Sequence, residues 1–344
     1  MNSYIVFFVA ICFLIFVSLR GTKKNYGTVS AEKFFSKEQT NWLRGIAIVG
    51  IAYSHYLVKL DINNPYYWQV GFLGIFGVAI FLFLSGYSAM ISLVNKQDYL
   101  HKYIPKRLSR LYLPFIVSFI IYSVILLING YKFSLFNIVD IFILSLPGVL
   151  NWYLKVQLGL YLLFYVSAKL IKNKNVLLGA MYLFCAIYMV IGYVLNLDNF
   201  WYESCWMFPL GMTFALNKDR VYNLINKKYF CKFVVSLIIL IISYMPVFMY
   251  GSVLTEIIFV IGFIQFMIVS CVRFEGSSKI GLFLGIYSLE FYLSHTIVPS
   301  IIGLFYKGSE NLITYIIFMI VSICLAFLIK KISNPINKII MRKI

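Results

Sequence analysis

Charged residues are scarce in this chain. They account for 12% of its 344 residues, about half of the ~25% that soluble domains carry. Apolar residues make up 62% of the chain, and the mean hydropathy is +0.88. So few polar side chains cannot cover a water-soluble core, which excludes a cytosolic enzyme, a secreted disulfide scaffold and a disordered tail. The composition predicts an all-α integral membrane protein.

Metal-binding motifs are also missing. The chain has six cysteines and three histidines, His55, His101 and His295. None of them forms a CxxC, an HExxH or another pair at metal-ligand spacing. The cysteines lie in or beside apolar segments, where a cysteine behaves as a small hydrophobic residue. We therefore expect no metal site and no permanently bound cofactor.

Acidic residues are few, with 12 Asp and Glu against 30 Lys and Arg, and the formal net charge is +18. Such an excess indicates a nucleic-acid partner only where the basic residues gather on one exposed face. Here they lie between long apolar runs. We therefore expect no nucleic acid as a partner and interpret the basic residues as a signal of membrane topology.

Runs of about 17 to 25 apolar residues cross the ~30 Å hydrocarbon core as helices. A shorter apolar segment, residues 138–146, ends at Pro147-Gly148 and is predicted to be re-entrant or interfacial. The sequence predicts about eleven membrane-spanning helices, at Tyr4–Leu19, Ile46–Val58, Val70–Val94, Leu111–Ile128, Tyr153–Ile171, Val176–Leu195, Tyr202–Leu216, Phe233–Tyr250, Val253–Val272, Ile280–Tyr306 and Leu312–Ile329.

The distribution of basic residues predicts the orientation of these spans. If the connecting segments alternate between two sides, all Lys and Arg residues fall on one side except Lys59, Lys132, Lys155 and Lys307. Short cytoplasmic loops retain positive charge, so we expect a multi-pass cell-membrane protein with its N-terminus outside and its C-terminus in the cytoplasm. No positive segment precedes the first span, which we expect to be retained.

Arg44 and His55 are eleven residues apart on one predicted helix. Eleven residues make three turns to within about 20° and rise ~16 Å, so both side chains share one face. We expect Arg44 at the inner membrane surface and His55 near mid-membrane, where an ionisable group costs at least ~2.5 to 3.5 kcal/mol. His55 is therefore either a structural histidine bonded to a neighbouring helix or a group that performs chemistry.

Two further patterns have both a structural and a functional interpretation. The third span is rich in glycine from Gly71 to Gly86, and small residues let a second helix or a narrow ligand approach the backbone. Arg107 and Arg110 are three residues apart. On a helix they form a cationic fork suited to phosphates, but basic residues are also the default in a cytoplasmic loop.

Five segments occur in order between about Trp42 and Ile329, and together they resemble acyltransferase family 3. This family of polytopic membrane proteins includes O-acetyltransferases of bacterial cell-surface polysaccharides. The segments are Arg44-x10-His55, the glycine-rich span that ends Leu84-Ser85-Gly86-Tyr87, Arg107-x2-Arg110, Trp152-Tyr153-Leu154, and Tyr287-Ser288-Leu289-Glu290-Phe291-Tyr292-Leu293-Ser294-His295.

The resemblance implies a core of ten helices that takes an acyl group, commonly acetyl, from acetyl-CoA as co-substrate in the cytoplasm. The acceptor would be a hydroxyl or amine on the outer face, as in a cell-surface glycan or a lipid-linked sugar. His55 matches the proposed catalytic histidine of the family, Arg44 its partner in the motif, and Arg107 with Arg110 the cytoplasmic basic motif. Gln157 departs from relatives that carry a glutamate in a Trp-x4-Glu pattern.

The predicted domains are an extra span with its connector at 1–40, a membrane acyltransferase domain at 41–333 and a basic cytoplasmic tail at 334–344. Glu290 lies eleven residues along the tenth span, so we expect it at the depth of His55, where it would orient the imidazole. His295 lies ~8 Å further out and about 140° around that helix, and we do not expect it in this pair.

The expected site residues fall into three groups. The catalytic residues would be His55 and Glu290. The donor-binding residues would be Arg44, Arg107, Arg110, Tyr87 and Ser85. The acceptor-binding residues would be Trp152, Tyr153, Gln157 and His295.

A second class of protein also fits the sequence, namely a non-enzymatic transporter or flippase of lipid-linked sugars. It would also need many spans, buried Glu and His residues and helices interrupted by proline. The chain shows no duplicated halves of the kind that many transporters have. The sequence is compatible with a homo-oligomer and identifies no protein partner.

Overall fold

The computed structural model describes residues 31–60, 67–133, 136–146, 151–276, 278–305 and 312–343. Every regular element in these ranges is helical. A single turn of 3-10 helix lies at Asn199–Trp201, before α7. The α-helices are α1 (Lys37–Leu60), α2 (Tyr67–Asn95), α3 (Tyr103–Ile128), α4 (Phe136–Phe142), α5 (Trp152–Leu170), α6 (Lys174–Val194), α7 (Met207–Asn226), α8 (Tyr229–Tyr250), α9 (Val253–Cys271), α10 (Lys279–Ile286), α11 (Ser288–Phe305) and α12 (Leu312–Lys343).

Six of the described helices are long and apolar enough to cross a membrane, namely α2, α3, α6, α8, α9 and α12. The helices α10 and α11 meet at 78° and make a seventh if they are one broken span. The chain is therefore a helical integral membrane protein, but the described helices do not support eleven spans. The helices α1, α5 and α7 carry too many polar residues to qualify by composition, and the predicted span Tyr4–Leu19 lies outside the described residues.

The outer surface of the bundle is apolar. Phe248 on α8 is 76% exposed, and Val190 on α6 and Ile320 on α12 are also exposed. Soluble monomers rarely expose contiguous apolar surface on this scale, whereas lipid tails accept it. The helices with the most exposed apolar residues are therefore the ones suited to face lipid.

Glycine and serine residues define the turn between α8 and α9. Gly251 ends α8 in the left-handed conformation with φ of 55°, which glycine adopts without steric cost. The hydroxyl of Ser252 then accepts from the backbone N–H of Thr255 and begins α9 as its N-cap. These two residues allow the chain to reverse direction between two apolar helices.

Several helices extend beyond the predicted apolar runs. The helix α3 begins at Tyr103 rather than Leu111, so Arg107 and Arg110 lie in its first turns and not in a loop. The helix α12 continues to Lys343 through the residues predicted to form a basic tail. Hydropathy marks where the apolar stretch ends, whereas Lys and Arg are good helix formers and let the helix continue.

The predicted span Ile280–Tyr306 is not one straight helix, because α10 ends at Ile286 and α11 begins at Ser288. Glu290 consequently lies in the first turn of α11. The short segment near residue 140 forms α4, whose seven residues rise only about 10 Å and are too few to cross. Its re-entrant or interfacial position stays a prediction.

Glycine allows the central helices to pack backbone against backbone. A Cβ on Gly86 of α2 would collide with the carbonyl of Phe208 on α7, and a Cβ on Gly211 of α7 would collide with the carbonyl of Phe83. On the same helix α2, Gly77 lies against the carbonyl of Ala47 on α1. The glycine-rich segment is thus a packing surface for α1 and α7.

Replacement of Gly86 by alanine should destabilise the fold by about 1–3 kcal/mol, because the added methyl group overpacks the contact between α2 and α7. Gly71→Ala on the same helix is the matched control, since a Cβ there meets no atom within 4 Å. Unfolding in SDS, followed by circular dichroism, measures both variants. Equal stability of the two variants would contradict this packing.

Candidate functional site

A cavity of about 700 Å³ opens between α2, α3, α5 and α11. One end of it is strongly basic, and we call this the basic end of the cavity. Asp98 is the only acidic residue among those that line it. The basic residues that line it are Arg44, Lys96, Lys102, Lys106, Arg107 and Arg110. So many cations around one concave surface attract a polyanion.

Aromatic side chains hold Arg107 in place. Its Nη2 donates to the hydroxyl of Tyr99 at 3.2 Å, and its Nη1 donates to the hydroxyl of Tyr161 at 3.4 Å. Its guanidinium also lies over the rings of Tyr161 and Tyr103, with the Cζ atom 4.7 and 5.4 Å from the centroids. These contacts orient a cation without neutralising it. The structure therefore keeps the charge of Arg107 for an anionic ligand.

Arg44 lines the same cavity, where its Nη1 donates to Asn41 Oδ1 at 3.0 Å. Its side chain is thus directed into the cavity, and its depth in the membrane stays a prediction. Arg107 and Arg110 line the cavity with it, so the structure brings together the three arginines expected to bind the donor.

One face of α2 provides a polar wall of the cavity. Phe81, Ser85, Ser88 and Ser92 follow each other at intervals of four, three and four residues, and all four line the cavity. Such spacing places side chains on one side of a helix. We call Ser85, Ser88 and Ser92 the serine row. Lys96 lies beyond its end, eleven residues and about 16 Å from Ser85.

Tyr87 was expected at the donor site, but it does not line the cavity. Its side chain is 6% exposed, and its hydroxyl donates to the carbonyl of Phe35 at 3.1 Å. Its ring packs on Phe35 and Phe214. Tyr87 lies two residues after Ser85, about 200° around the helix, and this turns it away from the cavity.

The helix α5 contributes Tyr153, Gln157 and Tyr161, which are four residues apart and line the cavity. Gln157 Oε1 accepts from Ser85 Oγ at 3.1 Å and from the hydroxyl of Tyr153 at 3.1 Å. Tyr153 and Gln157 were expected to contact the acceptor. The structure places them instead in the cavity that holds the arginines.

Trp152 lies apart from this cavity in an aromatic cluster with Phe200 and Trp201, at ring-centroid distances of 5.3 and 6.5 Å. Glu203 is also buried, between α6 and α7.

His55 and His295 form a direct pair, contrary to the expectation that His295 lies outside it. His55 Nδ1 and His295 Nε2 are 2.8 Å apart, and the ring centroids are 5.0 Å apart in a stacked arrangement. His295 is buried and His55 is exposed. The expectation failed because it placed Glu290 and His295 by counting residues along one straight helix. The bend between α10 and α11 changes the position of both residues relative to His55.

Glu290 does not take the expected place beside His55. Its Oε2 lies 3.4 Å from Lys330 Nζ on α12, and both side chains are largely buried. The bend between α10 and α11 puts Glu290 in the first turn of α11, about 1.4 turns before His295. Its carboxylate pairs with a lysine, and His295 contacts His55.

Tyr292 connects the cavity to the histidine pair. It lines the cavity, and its ring centroid lies 5.2 Å from that of Tyr153 and 5.4 Å from that of His295. His55 is not among the residues that line the cavity. One layer of aromatic rings thus separates the basic cavity from the two imidazoles.

Sequence reasoning missed Tyr99, Tyr161 and Tyr292, as well as Ser88 and Ser92. A signal for some of them was present, because Ser85, Ser88 and Ser92 follow helical spacing and Tyr161 lies one turn after Gln157. No pattern within a single helix indicates that Tyr99, which precedes α3, contacts Arg107.

The tautomers of the two histidines follow from their partners. His295 Nδ1 lies 3.2 Å from the carbonyl of Phe291, which only accepts, so this nitrogen carries the proton and Nε2 accepts. With both rings neutral, His55 then donates from Nδ1 to His295 Nε2. We expect ¹⁵N spectra of histidine-labelled protein to show Nδ1–H tautomers for both residues, and the exposed His101 serves as reference. A neutral Nε2–H tautomer of His295 would contradict this assignment.

Comparison with known proteins identifies the family of the chain. No curated protein and no solved structure gives a significant match to the chain. A family model described as an acyltransferase domain matches residues 38–331, a range that includes the basic cavity and both histidines. The chain therefore belongs to acyltransferase family 3 and is a membrane acyltransferase.

Proposed function

We propose that this protein transfers a short acyl group, acetyl by preference, from cytoplasmic acyl-CoA to a hydroxyl of an extracytoplasmic glycan or lipid-linked sugar. It is a multi-pass protein of the cell membrane, with its N-terminus outside and its C-terminus in the cytoplasm. The basic end of the cavity opens to the cytoplasm in this arrangement. The observation that carries the proposal is the meeting of Arg44, Arg107 and Arg110 in one cavity.

Acyl-CoA has its phosphates at one end and its thioester at the other. The cavity has its basic residues at one end, where the phosphates would bind. Guanidinium groups bind phosphate with paired, charge-assisted hydrogen bonds, so Arg107 and Arg110 hold the phosphates. The serine row of α2 and the face of α5 with Tyr153, Gln157 and Tyr161 accompany the pantetheine arm. The acyl group then points toward Tyr292 and the histidine pair.

Because aromatic rings separate the cavity from His55, the thioester must pass Tyr153 and Tyr292 to reach it. Their ring centroids are 5.2 Å apart. The same layer keeps bulk water from the donor before the acceptor arrives. Trp152 and its aromatic neighbours are the proposed contacts of the acceptor sugar, since flat apolar rings suit a sugar face.

His55 acts as general base or as a transient acyl carrier. As base, its Nε2 takes the proton of the acceptor hydroxyl while the oxygen attacks the thioester carbonyl. The carbon–sulfur bond breaks, and the CoA thiolate leaves with a proton returned from His55. The imidazolium that forms in between donates from Nδ1 to His295 Nε2, which is 2.8 Å away. An unperturbed pKa of about 6.5 suits imidazole to this exchange near neutral pH.

Replacement of His55 by alanine should abolish transfer, a loss of at least about 10²-fold if only the base is removed. The cavity is separate from His55, so binding of CoA should stay at the wild-type level. Radiolabelled acetyl-CoA and surface glycan, supplied to proteoliposomes, measure transfer, and calorimetry with CoA measures binding. Near-normal turnover of His55→Ala would remove this mechanism, and transport of unlabelled glycan by the wild type would favour a carrier.

Replacement of Arg110 by alanine should weaken binding of CoA about tenfold, because a charge-assisted contact with phosphate is lost. Turnover at saturating donor should change little, since Arg110 does not touch the reacting atoms. Arg220→Ala is the matched control, because Arg220 is exposed on α7 and lies outside the cavity lining. If Arg110→Ala and Arg220→Ala bind CoA equally well, the phosphate site lies elsewhere.

A further inference from the structure

The side-chain amide of Gln157 has an unsatisfied donor inside the cavity. The residue is 3% exposed and lines the cavity, and among the described residues its Nε2 has no hydrogen-bond partner. A buried donor without an acceptor costs about 1–3 kcal/mol. A ligand that presents an acceptor at this point would recover that free energy.

The neighbouring hydroxyls fix the orientation of this amide. Ser85 Oγ and the hydroxyl of Tyr153 both donate to Oε1 at 3.1 Å. In the opposite orientation Nε2 would face both hydroxyls. The buried hydroxyl of Tyr153 would then have no acceptor for its proton. The orientation with Oε1 toward the hydroxyls leaves one donor unsatisfied, and that donor is Nε2. An acceptor on a ligand in the cavity would satisfy this donor.

The position of Gln157 along α5 identifies which part of the ligand it meets. One turn away, Tyr161 binds Arg107 at the basic end. One turn in the other direction, Tyr153 packs on Tyr292, which contacts His295. Gln157 thus lies between the groups that hold the phosphates and the groups that meet the thioester. The donor has only two carbonyl oxygens between its phosphates and its thioester, and both belong to amides of the pantetheine arm.

We propose that Nε2 of Gln157 donates a hydrogen bond to an amide carbonyl of the pantetheine arm and so positions the arm in the cavity. This inference rests on the proposed function, because it assumes acyl-CoA as the donor. It makes Gln157 a positioning residue of the donor site, in place of the acceptor contact that the sequence suggested. An ionised carboxylate at this position accepts but cannot donate, so this contact is one that the glutamine of this chain makes and the ionised glutamate of a Trp-x4-Glu pattern does not.

The test combines a protein variant with a ligand variant. The ligands are acetyl-CoA and two analogues in which one or the other amide of the arm is replaced by a two-carbon hydrocarbon link. The proteins are the full-length wild type and Gln157→Leu, and kcat/KM is measured for each pair. We expect Gln157→Leu and one of the two analogues each to lower kcat/KM by about tenfold.

Their combination should lower kcat/KM no further than either change alone, because both remove the same hydrogen bond. Gln157→Glu should resemble Gln157→Leu and shows whether loss of the donor, rather than altered packing, is responsible. Gln265→Leu is the matched control, because Gln265 is exposed on α9 and lies outside the cavity lining. It should retain wild-type activity with all three donors.

Two results would overturn the inference. If the losses in kcat/KM caused by Gln157→Leu and by each analogue multiply when the two are combined, Gln157 does not contact an amide of the arm. Wild-type activity of Gln157→Glu would show that donation from this position is not needed. Failure of the proposed function is distinguishable, because the wild type would then show no transfer from acetyl-CoA, and the inference would fall with it.

Discussion

Positive charge within an apolar bundle is the constraint on which the rest of the site depends. A cation removed from water is costly unless nearby groups compensate. Among the described residues, the oxygens that Arg44 and Arg107 contact are the amide oxygen of Asn41 and the hydroxyls of Tyr99 and Tyr161. Neutral oxygens orient a guanidinium and leave its charge uncompensated. The cavity therefore favours an anionic ligand.

The helix α2 contributes both packing contacts and a polar surface to the bundle. Gly77 and Gly86 lie about 180° apart around the helix; Gly77 lies against the backbone of α1 and Gly86 against that of α7. The serine row of the same helix lines the cavity. The close contacts at the two glycines fix the position of α2 beside α1 and α7. Binding and packing thus use different residues of one helix.

The helix α5 extends from the basic end of the cavity to the aromatic layer beside the histidines. Its residues Tyr161, Gln157 and Tyr153 contact, in turn, the arginine cluster, the serine row and the aromatic layer before the histidines. The paired imidazoles lie beyond it, with His295 Nδ1 3.2 Å from the carbonyl of Phe291 and His295 Nε2 2.8 Å from His55 Nδ1. In the tautomers assigned above, the backbone acceptor orients His295, and His295 orients His55. The carboxylate expected for this purpose, Glu290, pairs instead with Lys330.

Composition was enough to identify a helical membrane protein, and the resemblance of five segments identified its family and the three arginines that share a cavity. Composition and short motifs are local properties of the sequence. The contact between His55 and His295, the burial of Tyr87 away from the cavity and the unsatisfied amide of Gln157 required the folded bundle. These depend on how neighbouring helices meet, and above all on the 78° bend before Ser288. No proline marks that bend, since Pro299 lies within α11. Gly285, just before the bend, lies against the carbonyl of Asn41 on α1, and the sequence of one helix does not reveal such a contact.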